Sequence, residues 1–492
     1  IKGAMLDMVD GDFIRHGSSC SEAATPRAQH TETQPSALSE SIRPSSRVPL
    51  TEAQTEIWAL SKLADELTRA YTVSISLHLR GELDVDALAC SLQSVVDRND
   101  SLRASIDATG EFLMISPSLT VDLPVVDLSP LEADEIVEEA ERWKQMEASR
   151  RFDLEKGPLL AARLLKLGQE EHILILTAHH IICDGWSTGL IVHQLKSFYS
   201  ARCAGAEPNL LPVGSFAEYA LKVSQEAPNN SGAERYWRST FADGIPGLKL
   251  PLDFDRPAGR TFPGGREKST IPASVAAKLR RVGVSNGCTL FLTLLGCFET
   301  MLYHLTANLD IVIGTPSAGR VRQDDQRLVG NCVNLLPLRI NIDPDASFAS
   351  FLASLREGVT EAYDYQDYPF NRLLKSVAGS YDQALSQFLP VIFNLDRGES
   401  VDNFHDLKVE VTSNHNGLAK FDVLLEFTDT GSDLHASLEY AADLFSKPTI
   451  QSWLAYLEDI IVAVIDDPDV PIESLRPARA GGRSVDQARI ER

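Results

Sequence analysis

Apolar and polar residues in the first part of the chain recur with periods that predict alternating helices and strands. Residues 51–64 have apolar side chains at helical spacing behind Thr51, whose hydroxyl can accept a hydrogen bond from the first turn. Residues 73–79 alternate between apolar and polar, which predicts a strand with one face packed and the other in water. Helical spacing returns at residues 85–98. This mixed order predicts an α/β lobe built in layers.

Two apolar runs follow, and the second leads into a pair of histidines. Residues 159–167 and 172–178 are joined by a short polar link, which predicts a β-hairpin. Helical spacing resumes at residues 187–199. Residues 179–185 are therefore expected on a turn from a strand to a helix, where rigid elements can hold a reactive side chain beside a cavity.

The pattern restarts beyond residue 225 with elements of the same kind. The predicted elements are helices across 274–304, strands at 309–314, 335–342 and 434–440, and a closing helix at 447–465. A chain of 492 residues exceeds what one hydrophobic core usually holds, so we predict two lobes, residues 48–225 and 226–475. The flanking residues 1–47 and 476–492 carry few large apolar groups, which predicts a disordered linker and a flexible tail.

Composition narrows the class of protein. With 46 basic and 69 acidic residues the formal net charge is −23, which argues against nucleic-acid binding, because that needs clustered Lys and Arg. The seven cysteines are odd in number and contain no C-x-x-C pair, as suits a reducing compartment. No basic-then-apolar leader and no apolar run of about 18 residues is present. We expect a cytoplasmic protein without a nucleic-acid or membrane partner.

The candidate chemistry lies in the run His179-His180-Ile181-Ile182-Cys183-Asp184-Gly185. Histidine changes charge near neutral pH, so it can accept a proton from an attacking amine or hydroxyl, or hold that nucleophile by a hydrogen bond. On extended backbone the two histidines face opposite sides of a sheet, so only one of them faces a given cavity. Asp184 is close enough to brace the turn, by bonding either an imidazole or an arginine. Gly185 lets a backbone N–H approach a substrate carbonyl.

The same run, extended through Trp186 and Ser187, resembles the central signature of condensation domains of nonribosomal peptide synthetases. Further segments resemble other motifs of that family, in the same order along the chain. They are 50–60, 97–103, 216–219, 329–334, 365–370 and 391–396. The second of these segments departs from the family, since Asn99 and Asp100 stand where His and Glu are usual.

The resemblance implies a fold and a reaction. The fold is α/β (layered α+β sandwiches), with two lobes similar to chloramphenicol acetyltransferase that form a V-shaped pseudo-dimer around a central tunnel. The reaction is transfer of an acyl or peptidyl group from a carrier-protein thioester to an acceptor amine or hydroxyl, which forms an amide or ester. Donor and acceptor are carried on the phosphopantetheine of carrier proteins, or the acceptor is a free small molecule. The domain itself is expected to bind no cofactor and no metal.

The resemblance also assigns roles to single residues. His180 becomes the active-site histidine, as general base or as positioning group, and Gly185 is the second catalytic position. His179 is assigned a structural role.

Asp184 is implied to form a buried salt bridge with an arginine of the second lobe. Arg320 is the first candidate for that partner, and Arg256 is the alternative. Contacts to the tunnel or between the lobes are assigned to a further set of residues: Trp186, Ser187, Asn334 and Arg103.

Two rival functions stay open at this point. An epimerase-like relative shares the double histidine, although the segment 184–187 fits condensation better. A non-catalytic recruitment module would place no demand on His180 or on Asp184 and Gly185. Segments 331–339 and 393–397 resemble domains of hybrid polyketide–peptide assembly lines, which favours a polyketide or other acyl donor.

Overall fold

The computed structural model describes residues 46–62, 65–226, 231–257, 261–320, 323–378, 388–398 and 404–476. All of them belong to one compact unit, Pro44–Arg492, while a second unit, Ile1–Arg43, lies outside the described residues. The linker predicted at 1–47 and the tail predicted at 476–492 fall almost wholly outside the described part, so both stay predictions.

The first part of the chain forms six helices and seven strands within the described residues. The helices are α1 (Glu52–Ser61), α2 (Asp65–Ala70), α3 (Val85–Arg98), α4 (Ala133–Ala148), α5 (Gly185–Cys203) and α6 (Phe216–Glu226). The strands are β1 (Ser46–Pro49), β2 (Thr72–Arg80), β3 (Ala104–Ile106), β4 (Phe112–Ile115), β5 (Val125–Asp127), β6 (Leu160–Lys166) and β7 (Glu171–His179).

The second part alternates helices with a larger set of strands. The described helices are α7 (Ser231–Thr240), α8 (Ala273–Ser285), α9 (Leu290–Thr306), α10 (Phe348–Asp364), α11 (Phe370–Ala378) and α12 (Lys447–Asp466). The described strands are β8 (Gly264–Ile271), β9 (Asp310–Ser317), β10 (Asn334–Asn341), β11 (Val391–Arg397), β12 (Lys408–Ser413), β13 (Val423–Asp429) and β14 (Leu434–Ala441).

Two large sheets organise these elements into two lobes. A five-stranded sheet of order β12-β2-β7-β6-β5 forms the N lobe together with α1–α6, and α3 and α5 pack on one of its faces. A six-stranded sheet of order β10-β9-β11-β13-β14-β8 forms the C lobe with α7–α12. A small sheet, β1-β4-β3, completes the N lobe. The layered α/β architecture with two lobes is the one predicted.

The local signals in the sequence account for the element boundaries. Helix α1 begins after Thr51, whose hydroxyl accepts from the Gln54 N–H while the Gln54 side chain accepts from the Thr51 N–H, which is a complete capping box. Helix α3 has the predicted bounds, and Asp84 caps its first turn. The predicted hairpin forms from β6 and β7, which pair antiparallel.

One expectation about β2 is wrong, because its polar face is not in water. Ser74 and Ser76 are buried. Asn414 covers them: its side-chain amide donates to Ser74 Oγ at 3.0 Å, and its Oδ1 accepts from Ser76 Oγ at 3.0 Å. Thr177 on β7 contacts Ser74 Oγ at 3.0 Å. The alternating pattern identified the strand correctly, but a segment from the other end of the chain removes this face from solvent.

The chain crosses between the lobes more than once. Strand β12 lies in the second part of the sequence, yet it pairs antiparallel with β2 and forms an edge of the N-lobe sheet. The N-lobe core also takes Phe404 and Leu407 from the same region. The domain boundaries 48–225 and 226–475 stay a prediction. Strand β12, at 408–413, belongs to the second of these segments in sequence but to the sheet of the first in space.

Helix α12 is long and apolar enough, by length and composition, to cross a membrane, with a mean hydropathy of 1.2. Helices α8 and α9 pass the same test only as a pair, and they are bent by 99°. The apolar side of α12, including Ile450, Trp453 and Leu457, is buried in the C-lobe core. A helix buried in a protein core is apolar because its side chains pack against other side chains, so this composition does not require contact with lipid. The cytoplasmic location stays a prediction.

Candidate active site

The two histidines lie where β7 ends and before α5 begins. His179, the last residue of β7, is fully buried. Its Nδ1 accepts from the Ile181 N–H at 3.2 Å, and its Nε2 lies 3.2 Å from the Thr68 carbonyl. These contacts place the proton on Nε2. Burial, together with the neighbouring His180, lowers the pKa of His179 to about 3. Both ring nitrogens are engaged by backbone, so this side chain braces the turn.

His180 is half-buried and is held by its backbone rather than by its ring. The His180 N–H donates to the Tyr71 carbonyl at 2.7 Å, and the Tyr71 ring meets the imidazole edge-on, with centroids 6.3 Å apart. Imidazole Nδ1 has no hydrogen-bond partner among the described residues. Burial, with the positive charge of Lys420, lowers the pKa of His180 to about 4, although Asp184 acts in the opposite direction. The imidazole is therefore neutral at physiological pH.

Asp184 is fully buried, and the hydrogen-bond donors to its carboxylate are groups other than His180. Arg320 donates from Nη1 to Oδ2 at 2.8 Å and from Nη2 to Oδ1 at 3.0 Å. The Ser187 N–H and hydroxyl donate to Oδ1, which caps α5, and the Cys332 N–H donates to Oδ2. Burial alone would raise the pKa of Asp184, but Arg320 and these donors hold it below its ordinary value. Asp184 therefore anchors the turn and does not orient the imidazole as in a catalytic triad.

Arg320 makes more contacts than the ion pair. Its guanidinium also donates to the carbonyls of Ala318, Leu328 and Gly330. These bonds hold the backbone on both sides of the loop after β9 close to the ion pair. Gly319, just before it, has a φ of +63°, and a Cβ built there would lie 1.8 Å from the Cys332 carbonyl oxygen. The close approach of these two backbones requires glycine.

The alternative partner for Asp184 has a different role. Arg256 donates from Nη1 to Asp422 Oδ1 at 3.0 Å, and Asp422 is buried just before β13. Arg256 thus neutralises another buried carboxylate. The geometry places Arg320, and not Arg256, against Asp184.

Gly185 begins α5 and is exposed. A Cβ built on it would meet nothing within 4 Å, so open space lies beside its backbone. First-turn N–H groups of a helix have no partner within the helix and carry the positive end of the helix dipole. Within the described part of the chain, the Gly185 N–H has no acceptor. Trp186 is 49% exposed, and its indole donates to the Gln326 carbonyl at 2.9 Å.

The remaining predicted residues hold loops in place. Ser187 is fully buried and bonds the Gly330 backbone, so it is a contact between segments of the two halves. Asn334 donates to the Gln366 and Tyr368 carbonyls, both at 2.8 Å, inside the C lobe. Arg103 donates to three carbonyls at the end of α3, inside the N lobe.

Two of the other matched segments, 50–60 and 97–103, contact the histidine turn or the helices near it. Gln54 donates from its amide to the Ile181 carbonyl at 2.9 Å, which ties α1 to the turn. Asn99 donates to Gln194 on α5 at 2.7 Å. Asp100 accepts from the Phe216 and Ala217 N–H groups and so caps α6. The two positions that depart from the family therefore make local structural bonds.

Two residues beside His180 had no signal in the sequence. Lys420 is half-buried in the segment between β12 and β13, and its Nζ lies 4.9 Å from the centroid of the Tyr71 ring. Tyr71 belongs to the N lobe and precedes β2. Lys420 and His180 are far apart in sequence, and only the return of the chain at β12 brings them together.

No three His, Cys, Asp or Glu side chains of the described residues come together as potential metal ligands. A surface cavity of about 510 Å³ lies elsewhere, beside α7, β10 and α10, and is lined by Tyr236, Arg339 and Glu361 among others. It contains none of the site residues named above.

Two layered α/β lobes, with a histidine pair on a strand-to-helix turn, are consistent with the predicted fold similar to chloramphenicol acetyltransferase. The chain belongs to the condensation domain family, whose model matches residues 45–480. Both the predicted fold class and the predicted family are confirmed.

Curated relatives belong to large peptide synthases. Tyrocidine synthase 3 of Brevibacillus parabrevis is 30% identical over 436 residues, which is 88% of this chain and 6% of the relative. Surfactin synthase subunit 2 of Bacillus subtilis (strain 168) is 31% identical over 430 residues, or 87% of this chain and 12% of the relative. The chain thus spans only 6% and 12% of the length of these two relatives.

Solved structures share the fold. The X-domain from teicoplanin biosynthesis has a TM-score of 0.75 at 27% identity, covering 88% of this chain and 98% of that one. The first condensation domain of the calcium-dependent antibiotic synthetase, in complex with a substrate analogue, has a TM-score of 0.75 at 20% identity, covering 87% and 98%.

Proposed function

We propose that this domain transfers an acyl or peptidyl group from a carrier-protein thioester to an acceptor amine, or hydroxyl, on a second carrier or on a free small molecule. The observation that carries the proposal is the state of His180. It is a half-buried imidazole whose Nδ1 has no partner among the described residues, on the turn beside an exposed helix N-terminus at Gly185, and burial keeps its pKa low. Membership of the condensation domain family supports the same reaction.

In the proposed step the acceptor nitrogen attacks the thioester carbonyl carbon. The carbonyl π electrons move to oxygen, and the oxyanion accepts the N–H of Gly185 at the positive end of α5. The amine proton passes to the neutral imidazole of His180, the C–N bond is complete, and the C–S bond breaks. The leaving thiolate then takes the proton from the imidazolium, so the ring returns to its starting form.

The low pKa of His180 makes the ring a weak base, so it first holds the amine by a hydrogen bond and takes the proton only as the forming C–N bond makes the nitrogen acidic. A base is most effective when its pKa lies near the working pH, and His180 lies well below it. The neutral ring still accepts a hydrogen bond and fixes the direction of attack. A thioester is already activated, so positioning of this kind can supply much of the acceleration.

The donor and acceptor are proposed at the level of chemical class. The donor is carried as a phosphopantetheine thioester on a carrier protein, and the acceptor is carried in the same way or is a free small molecule. The domain is proposed to need no cofactor of its own. The segments 331–339 and 393–397 favour a polyketide or other acyl donor over an aminoacyl one.

The test loads an acyl group on one carrier protein and an amino acid on another, and follows the acceptor carrier by intact-protein mass spectrometry. Wild type is expected to shift the acceptor mass by the acyl group. His180→Ala should lower that rate at least about a hundredfold, the scale of lost acid–base or positioning catalysis. Arg142→Ala, on the exposed face of α4, is the matched control and should leave the rate unchanged.

Each rival predicts a different result in the same assay. An epimerase would exchange the α-proton of a single loaded amino acid for deuterium without joining the two carriers. A recruitment module would give no product with any carrier pair. Product formation with wild type and equal product formation with His180→Ala would overturn the assigned role of His180.

A further inference from the structure

Lys420, from the C-terminal half of the chain, contacts Tyr71 of the N lobe, and Tyr71 in turn contacts His180. The Lys420 Nζ lies 4.9 Å from the centroid of the Tyr71 ring, within the range of a cation–π contact. The same ring meets His180 edge-on, and the Tyr71 carbonyl accepts the His180 N–H. Tyr71 therefore lies in contact with both the ammonium and the imidazole.

Three carboxylates act on this half-buried lysine and favour its charged form. Glu439 and Glu426, on β14 and β13, and Glu56, on α1, act on it from three elements. Burial lowers the pKa of Lys420, and these carboxylates oppose that change. Glu439 is itself held in its charged form, because His415, Arg266 and Lys420 outweigh its burial.

The charged groups that act on His180 are few. Lys420 acts against a positive imidazole, and Asp184 acts in favour of one. The Asp184 charge is compensated, because both its oxygens bond the Arg320 guanidinium. His179, behind the ring, is neutral. Burial is the main cause of the lowered pKa of His180, and Lys420 is the neighbouring charge that lowers it further.

We propose that Lys420 is a positioning residue of the acyl-transfer site, which holds the His180 imidazole in its neutral, proton-accepting form by placing an ammonium against Tyr71. The inference rests on the proposed function for its catalytic consequence, and on the contacts of Lys420 and His180 with Tyr71 for its electrostatic one. An imidazolium could neither accept the acceptor's hydrogen bond nor take its proton. A fixed positive charge nearby makes that inactive form harder to reach, so the site keeps working as the pH falls.

The kinetic test compares the pH dependence of transfer between loaded carriers for three variants. The acceptor α-amine, with a pKa of about 8, is protonated on acidification in every variant, so each rate is divided by the fraction of free amine at that pH. The corrected wild-type rate should stay level down to about pH 5, since the pKa of His180 is about 4. Lys420→Met keeps the length and loses the charge, and its acidic limb should move up by roughly one pH unit. Lys420→Arg should restore the wild-type profile. Lys408→Met removes a lysine from exposed β12 and should change nothing.

A second measurement needs no substrate and so stands apart from the proposed function. The protein is labelled with 13C at histidine Cε1, and the His180 signal is assigned by its loss in His180→Gln. In Lys420→Met that signal should titrate at a higher pH than in wild type or Lys420→Arg. Equal titration in all three overturns the inference, whatever the carriers show. A shifted titration without any transfer activity would instead overturn the proposed function.

Discussion

The guanidinium of Arg320 and the carboxylate of Asp184 form a bidentate pair, with N–O distances of 2.8 Å and 3.0 Å, and both side chains are excluded from water. Removing one partner leaves the other charge buried without compensation. Arg320→Ala should therefore lower the free energy of unfolding by about 3–5 kcal/mol, measured by urea titration. Arg142→Ala breaks an exposed pair with Glu139 and should cost less than about 1 kcal/mol. Similar losses for both variants would contradict a buried role for Arg320.

Acid should reduce the difference between Arg320→Ala and wild type. In wild type the pKa of Asp184 is held below its ordinary value, so this pair stabilises the fold above that value and the contribution is lost as the pH falls through the lowered pKa. Without Arg320, burial raises the pKa of Asp184, and the variant gains stability when the carboxyl is protonated. The difference between the urea midpoints of wild type and Arg320→Ala should be smaller at pH 4 than at pH 7. A gap that widens on acidification would show that Asp184 is not the group involved.

The backbone at Gly319 should tolerate no side chain. Its φ of +63° strains any L-residue, and a Cβ would overlap the Cys332 carbonyl. Gly205 has nearly the same φ, +62°, but open space around it. Gly205→Ala should cost about 1 kcal/mol from backbone strain alone, whereas Gly319→Ala should cost several times more and lower the transfer rate, since it displaces Arg320. Thermal unfolding followed by circular dichroism compares the two.

Glu299 on α9 is a buried carboxyl whose two oxygens have no hydrogen-bond partner among the described residues. Burial raises its pKa well above the ordinary value, so the folded state binds a proton that the unfolded state releases, and stability falls as the pH rises above the unfolded pKa. Glu299→Leu should therefore be more stable than wild type, by roughly 1–3 kcal/mol at pH 8 and by less at pH 5. Glu361→Gln, exposed on α10, is the control and should change stability by less than about 0.5 kcal/mol.

Asn414 should matter for stability because it satisfies two buried hydroxyls. Asn414→Ala leaves Ser74 and Ser76 without that partner and should cost about 1–3 kcal/mol in urea unfolding. Replacing Ser76 by alanine in the same background should recover part of the loss, since Ser74 keeps its contact with Thr177, whereas the Ser76 hydroxyl would be buried without Asn414. If the free energy of unfolding did not recover, the cost of Asn414→Ala would come from contacts of the segment after β12 other than those with the serines.

Local structure was predictable wherever periodicity is strong. Helix α3 has the predicted bounds, and the turn from β7 to α5 carries the histidines as expected. Helix α4 was missed, because its apolar positions are few among many acidic ones. The solvent-facing side of β2 was predicted wrongly for a different reason: a strand's pattern reports which residues are polar, not what covers them.

The candidate site was predictable only as far as its motif is contiguous. The run from His179 to Gly185 is visible in any reading of the chain, and the resemblance to a family brought Arg320 into consideration beside Arg256. Both arginines lie in Gly- and Pro-rich segments, so only the tertiary structure shows which of them pairs with Asp184. Lys420 carries no local signal, because its proximity to His180 is created by pairing between β12 and β2.

That pairing has a consequence for exchanging parts between relatives. A recombination boundary at 225/226 would transfer the C lobe of a donor together with the outermost strand of the N-lobe sheet, the asparagine that covers the β2 serines, and the lysine beside the imidazole. The recipient's first segment would then meet foreign side chains along a sheet edge. A graft meant to change one lobe alone has to leave 408–420 with the recipient.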